Sequence, residues 1–208
     1  MRRIFLHGLG QTPESWAEII VRSGSAGHSV CPSLSELLQG QEAAYQNLYE
    51  AVSALCGQSD EEPDLCGLSL GAVLALQYAI EHPQKVRSLV LIAPQYRMPR
   101  NLLRFQNLLF RWMPKGVFRS TGFEKRAFLR LCETMMDLDF GSSLSKVTCP
   151  ALILCGERDA ANKKAAAGLA GILKNAELRE IAGAGHEVNR DAPGKLSDVL
   201  CGFYRRME

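Results

Sequence analysis

The sequence predicts an α/β fold: a mainly parallel sheet of roughly six strands, helices on both faces, and a small helical insertion. Three observations point there. Short apolar runs alternate with stretches of helical periodicity along most of the chain. The run Ser88-Leu-Val-Leu-Ile-Ala93 is unbroken, as in a strand covered on both faces. The stretch from Tyr96 to about Lys146 has helical patterns and no strand, so it reads as an excursion from the sheet.

Taken in order, Arg3 to Leu6 is a first short strand that ends at His7-Gly8. A helix follows from about Pro13 to Arg22, with the proline suited to its first turn. His28 to Cys31 is a second strand, and Gln41 to Cys56 a helix with apolar residues at helical spacing. Asp64 to Leu68 is the third strand. A helix starts at once, from about Ser69 to Glu81, and is stopped by Pro83. Ser88 to Ala93 is the fourth strand, Ala151 to Cys155 the fifth, and Glu177 to Ile181 the sixth. Ala165 to Lys174 and Pro193 to Arg205 are helices. Such alternation implies right-handed crossovers between parallel strands. The expected organisation is a single domain over residues 1–208 with a helical lid at 96–146.

Composition narrows the function classes. The 208 residues can bury a sizeable core, and a net charge of +2 lacks the basic excess of a nucleic-acid binder. No apolar run approaches the roughly 18 to 20 residues of a membrane span. The apolar run before His7 is only Ile4-Phe5-Leu6, too short for a signal-peptide core. Seven cysteines, an odd number without a Cys-x-x-Cys pair, read as reduced core residues of a cytoplasmic protein, with no metal site expected.

In parallel α/β sheets, ligands bind at the carboxyl ends of the strands. After the first strand stands His7-Gly8-Leu9-Gly10, after the third Ser69, after the fifth Gly156-Glu157-Arg158-Asp159, and after the sixth Gly183-Ala184-Gly185-His186. Ser69 lies between Gly67 and Gly71 at a junction of strand and helix. A corner this sharp strains the backbone and lifts the side chain clear, and small neighbours let strand and helix approach. A serine so placed suits a nucleophile. Of the four histidines, His28 begins a strand at the wrong edge and His82 ends a helix before Pro83. His7 suits an anchor for its loop. His186, in a glycine-bounded loop at the open edge, is left as the base. Asp159 is the expected orienting acid, with Glu157 its rival two residues earlier. The backbone N–H groups of Leu70 and Leu9 are expected to form an oxyanion hole.

With these residues in hand, the chain resembles the α/β-hydrolase superfamily over nearly its whole length. The resemblance rests on His7-Gly-Leu-Gly10, Gly67-Leu-Ser-Leu-Gly71, the run from Glu81 to Ile92, Pro150-Ala-Leu-Ile-Leu-Cys-Gly-Glu-Arg-Asp159 and Gly185-His186. It implies a Ser69–His186–Asp159 triad that acts through an acyl-enzyme without metal or organic cofactor. Three departures accompany it. The first strand corresponds to the family's third. The loop Pro32 to Gln39 lacks the Arg-Gly-His-Gly type of turn seen in many relatives. The lid is short and carries no substrate signature.

The lid does have a chemical bias. Between Arg97 and Arg130 it sets Arg97, Arg100, Arg104, Arg111, Lys115, Arg119, Lys125, Arg126 and Arg130 against Glu124 alone. Leu102, Leu103, Phe105, Leu108, Leu109, Phe110, Trp112 and Met113 are interleaved. One account is a pair of amphipathic helices with a solvated basic face. The other is an apolar acyl pocket, lined by Tyr96, Phe105, Leu109 and Trp112, whose rim attracts an anionic carrier, head group or membrane surface. The expected function is therefore hydrolysis of a carboxylic ester or thioester of a small to medium acyl group, the partner being a small-molecule acyl substrate, anionic or carrier-linked. A lyase, C–C bond hydrolase or perhydrolase could use the same triad, and a non-catalytic binding protein could keep the pocket.

Overall fold

The structure, a computed structural model, describes residues 2–207, without the side chains of Leu102, Arg119 and Ser120. Leu102 and Arg119, named above within the expected lid, thus have side chains outside the described set. The strands are β1 (Arg3–Leu6), β2 (Ser29–Val30), β3 (Asp64–Leu68), β4 (Ser88–Ile92), β5 (Ala151–Gly156) and β6 (Ala176–Ile181). They form one sheet in the order β2-β1-β3-β4-β5-β6, and every pairing is parallel.

Period-two alternation explains why the central strands are apolar without a break. Ile4, Leu6, Leu65, Leu89, Leu91 and Ile153 point to one face, where they meet α3 (Tyr45–Cys56) and α4 (Leu70–Glu81). Phe5, Cys66, Val90, Ile92, Leu152 and Leu154 point to the other, against Ile19 of α1 (Ala17–Arg22) and Leu200 of α9 (Pro193–Arg205). Between these last helices in the chain lie α2 (Leu34–Leu37), α5 (Arg100–Trp112), α6 (Lys125–Met135), α7 (Ala160–Ile172) and α8 (Val188–Asp191). Among the described residues no helix is long and apolar enough to cross a membrane.

The elements differ from expectation chiefly in these places. β2 is two residues long, because His28 closes a 3-10 turn and an edge strand pairs on one side only. α3 begins at Tyr45, since Gln41 to Ala44 stay extended or turned. α2 was not expected. It is nucleated by Ser33, whose hydroxyl accepts the Glu36 N–H at 3.4 Å. α7 starts at Ala160, directly after Asp159, five residues ahead of the predicted start.

Between β4 and β5 the chain leaves the sheet, as expected. An antiparallel bridge between Arg97 and Asp139 closes the base of this segment. Phe110 of α5 and Phe128 of α6 stack edge-to-face with centroids 5.1 Å apart, and Phe118 packs on Phe128 at the same distance.

The corner between β3 and α4 is as tight as the sequence implies. A Cβ on Gly67 would stand 2.2 Å from the Gly71 carbonyl oxygen, and one on Gly71 would stand 2.1 Å from that of Leu6. Glycine to alanine in a helix ordinarily gains about 1 kcal/mol. Here the sign should reverse: Gly71→Ala is expected to destabilise by about 3 kcal/mol, because the group it meets is the Leu6 backbone carbonyl of β1, which cannot move aside. The urea midpoint checks this, and a midpoint unchanged or raised would contradict it.

Candidate active site

The corner residue Ser69 has φ 52° and ψ −111°, a conformation that costs a non-glycine residue about 1 to 3 kcal/mol. It is held there from both sides. The Ser69 N–H donates to the Ile92 carbonyl at 2.9 Å, and the Ser69 carbonyl accepts from Val73 N–H at 3.0 Å. Ser69 thus borrows the rigidity of β4 and of the first turn of α4. Ala93, at the end of β4, also has a positive φ of 49°.

His186 lies after β6, in a loop pressed on the end of β5. A Cβ on Gly156 would lie 2.0 Å from the Gly185 carbonyl oxygen, so the loop reaches β5 only because residue 156 has no side chain. Arg158 N–H donates to the Ala184 carbonyl at 2.8 Å. Glu157 accepts the Gly183 N–H at 2.7 Å, so this rival acid braces the loop. The imidazole meets Asp159: His186 Nδ1 lies 2.9 Å from Asp159 Oδ2. A carboxylate only accepts, so Nδ1 carries the proton and Nε2 is left free as an acceptor. The Asp159 side chain is 4% exposed and that of His186 45% exposed.

A buried carboxylate needs further donors. Asn162, on the first turn of α7, supplies them: its Nδ2 donates to both Asp159 oxygens, at 2.9 and 2.8 Å. The same nitrogen lies 3.1 Å from His186 Nδ1, and Gln95 donates to Asn162 Oδ1 at 2.8 Å. Neither amide was singled out in the sequence. Asn162 was hidden by the predicted start of α7 at Ala165, for only a helix beginning at Ala160 folds Asn162 back beneath Asp159. Asn162→Ala is expected to lower kcat about tenfold with little change in KM, by loss of charge-assisted hydrogen bonds to the acid. Steady-state kinetics check it.

The β1 loop approaches from the other side. A Cβ on Gly8 would lie 3.6 Å from Ser69 Cβ. Gln11, fully buried, accepts the Gly8 N–H at 3.3 Å and donates to Glu187 at 3.1 Å and to Asn189 at 3.0 Å. It ties this loop to the one bearing His186, a role that no periodicity signals. Among the described residues, no hydrogen bond uses the N–H of Leu9 or of Leu70.

His7 anchors the loop. Its Nδ1–H donates to the Gly8 carbonyl at 2.9 Å, and Nε2 accepts the Leu34 N–H at 3.2 Å. Burial lowers its pKa below the usual 6.5. The folded protein therefore holds His7 neutral where the unfolded chain would protonate it. This makes stability full above pH 6.5 and progressively lost as pH falls below that value. His7→Gln, which keeps an acceptor for Leu34, should lose less stability than the wild type between neutral and mildly acid pH. Urea midpoints at several pH values check it.

Ser69, Asp159 and His186 all line one cavity of about 480 Å3. Its walls are otherwise largely apolar, from Leu70, Val73, Met98, Leu103 and Met135, with Phe105 and Leu109 of α5. Among the described residues no hydrogen bond joins Ser69 to His186, a contact that in ligand-free sites often forms only with substrate present. Two expected pocket residues lie elsewhere. Tyr96 sits against α7, its hydroxyl 3.0 Å from where a Cβ on Gly168 would be. Trp112, at the end of α5, is 84% exposed and outside the cavity wall. Trp112 lies out because α5 turns only part of its surface inward, and Tyr96, four residues before α5, turns toward α7 instead. The remaining histidines stand apart: His82 stacks on Tyr78 at 4.6 Å, and His28 closes its turn. Asp64 is paired with Arg87 and Ser88 at the opposite edge of the sheet.

Comparison with known proteins gives a consistent picture. The model of the alpha/beta hydrolase family matches residues 4–199. The biotin biosynthesis bifunctional protein BioHC of Cellvibrio japonicus is 27% identical over 195 residues, which cover 77% of this chain and 39% of that protein. The pimeloyl-[acyl-carrier protein] methyl ester esterase of Aromatoleum aromaticum is 33% identical over 119 residues, 57% of this chain and 45% of that enzyme. The chain therefore spans less than half the length of either relative in these matches. A thermophilic esterase from Thermogutta terrifontis superposes with a TM-score of 0.83 over 100% of this chain and 90% of its own, at 16% identity. That likeness shows the fold alone.

Proposed function

The chain belongs to the alpha/beta hydrolase family, and we propose that it is an enzyme, a serine hydrolase cleaving a carboxylic ester or thioester of a small to medium acyl group. One observation carries this reading: a serine on a strained corner and a 2.9 Å Asp159–His186 pair face the same apolar cavity. Ser69 Oγ attacks the acyl carbonyl as His186 Nε2 takes its proton. Asp159 holds the imidazole and stabilises its charged form. The oxyanion is received by the N–H groups of Leu9 and Leu70, each such donor being worth about 3 to 4 kcal/mol of barrier. The tetrahedral intermediate collapses as His186 returns the proton to the leaving alcohol or thiol. A water, deprotonated by the same histidine, then releases the acid and regenerates Ser69.

Cavity size and lining support a short apolar acyl chain bounded by Phe105 and Leu109, and segment 96–146 acts as its lid. The carrier-linked ester named for one relative makes an acyl group on an anionic carrier one substrate worth testing. Labelling by a fluorophosphonate tests the reading. Wild type should be labelled and Ser69→Ala should not. A folded wild type that resists labelling would favour a non-catalytic binding protein.

A further inference from the structure

Helix α5 has two apolar faces, and only one is covered. Leu103 and Phe110 pack on the core and Asn107 is buried, whereas Phe105 is 60% exposed, Leu108 53%, Leu109 50% and Trp112 84%. These four stand at i, i+3, i+4 and i+7, so they form one stripe along the helix. A single exposed leucine needs no explanation. Four apolar side chains in register, one of them an indole, mark an interaction surface. Val117, 47% exposed in the following turn, extends it.

Cations edge the stripe. Arg104 and Arg111 lie four residues before and three after Leu108, so both flank it, and Lys115 follows. Arg111 pairs with Glu133 and Arg100 with Asp137, but Arg104 has no carboxylate partner among the described residues. Phe105 and Leu109 belong to both the stripe and the cavity wall, so the exposed surface runs into the mouth of the candidate site.

We propose that this face of α5 lies on an anionic lipid surface. Phe105, Leu108, Leu109 and Trp112 enter the boundary between head groups and acyl chains, while Arg104, Arg111 and Lys115 meet head-group phosphates. The cavity then opens toward the lipid. Charge decides against the other occupants. A second copy related by a two-fold axis would bring the same arginines to their own counterparts. An acidic carrier protein would satisfy the cations, but the apolar stripe beside them calls for a partner that buries it. Docking needs only α5 and the turn that follows it, not the acyl site. Its consequence for turnover rests on the acyl-site reading given above.

The protein carries its own reporter. Of its two tryptophans, Trp16 is fully buried, so a shift in emission on lipid binding reports Trp112. Vesicles of phosphatidylcholine mixed with phosphatidylglycerol should shift the emission to the blue and sediment the protein, and added salt should reverse both. Pure phosphatidylcholine vesicles should bind at least about tenfold more weakly. Leu108→Asp should lose vesicle binding by about tenfold or more and keep its turnover of a short soluble ester, since Leu108 is outside the cavity. Arg104→Gln tests the charge without touching the stripe and should weaken only the anionic-vesicle binding. Ser69→Ala should bind vesicles as the wild type does, so failure of the docking and failure of the esterase reading are separable. Emission unmoved by any vesicle would overturn the proposal. So would a blue shift that grows with protein concentration without lipid, or one produced by an acidic carrier protein and not by vesicles.

Discussion

Ser69→Ala is expected to lower kcat for a p-nitrophenyl ester by on the order of a million-fold, with fold and stability little changed. The size follows from the role. Without Oγ no acyl-enzyme forms, and what remains is the contribution of the oxyanion donors and the binding cavity. Stability should hold because Ser69 is fixed by its backbone, through the Ile92 carbonyl and Val73 N–H. The change should therefore sit within about 1 kcal/mol, as for substitutions that remove no buried contact. Chain-length series of esters and thioesters on the wild type give the denominator. A folded variant that keeps substantial turnover would place the nucleophile elsewhere.

Asp159→Asn should cost about 10⁴-fold in kcat at neutral pH, although it changes a single atom. The carboxylate only accepts, and this holds the His186 proton on Nδ1, 2.9 Å away. An amide at 159 can donate instead, which moves the imidazole proton to Nε2, the nitrogen that must be free to take the proton of Ser69. The substitution also disturbs Asn162, whose amide donates to both carboxylate oxygens in the native protein. Glu157→Gln is the matched control. Glu157 braces Gly183, so its loss should move stability more than chemistry. If Glu157→Gln abolished turnover and Asp159→Asn did not, the two acids would exchange roles.

Much of this was legible in the chain, for identifiable reasons. β3, β4 and β5 are fully buried, and burial on both faces leaves short unbroken apolar runs bounded by turn residues. The tight corner at Ser69 announced itself because two backbone contacts near 2 Å demand glycine at 67 and 71. What stayed hidden depends on contacts between distant segments. The amides of Gln11, Gln95 and Asn162 join loops far apart in sequence, and an amide has no periodicity to betray it. Ser33-Leu-Ser-Glu36 did carry the signature of a capped helix start, and α2 could have been read from it. For Trp112, apolar character was visible but direction was not. Which face of α5 turns inward is decided by Phe118 and Phe128, against which Phe110 packs.

The most direct test of the account is the mass of the protein itself during turnover of a slow ester. A rapid acid quench should reveal an adduct equal to the acyl group, on the peptide containing Ser69. Its formation should coincide with a burst of alcohol release, and Ser69→Ala should show neither. Full turnover without an adduct, or an adduct on any other residue, would contradict the assignment of Ser69 as the nucleophile.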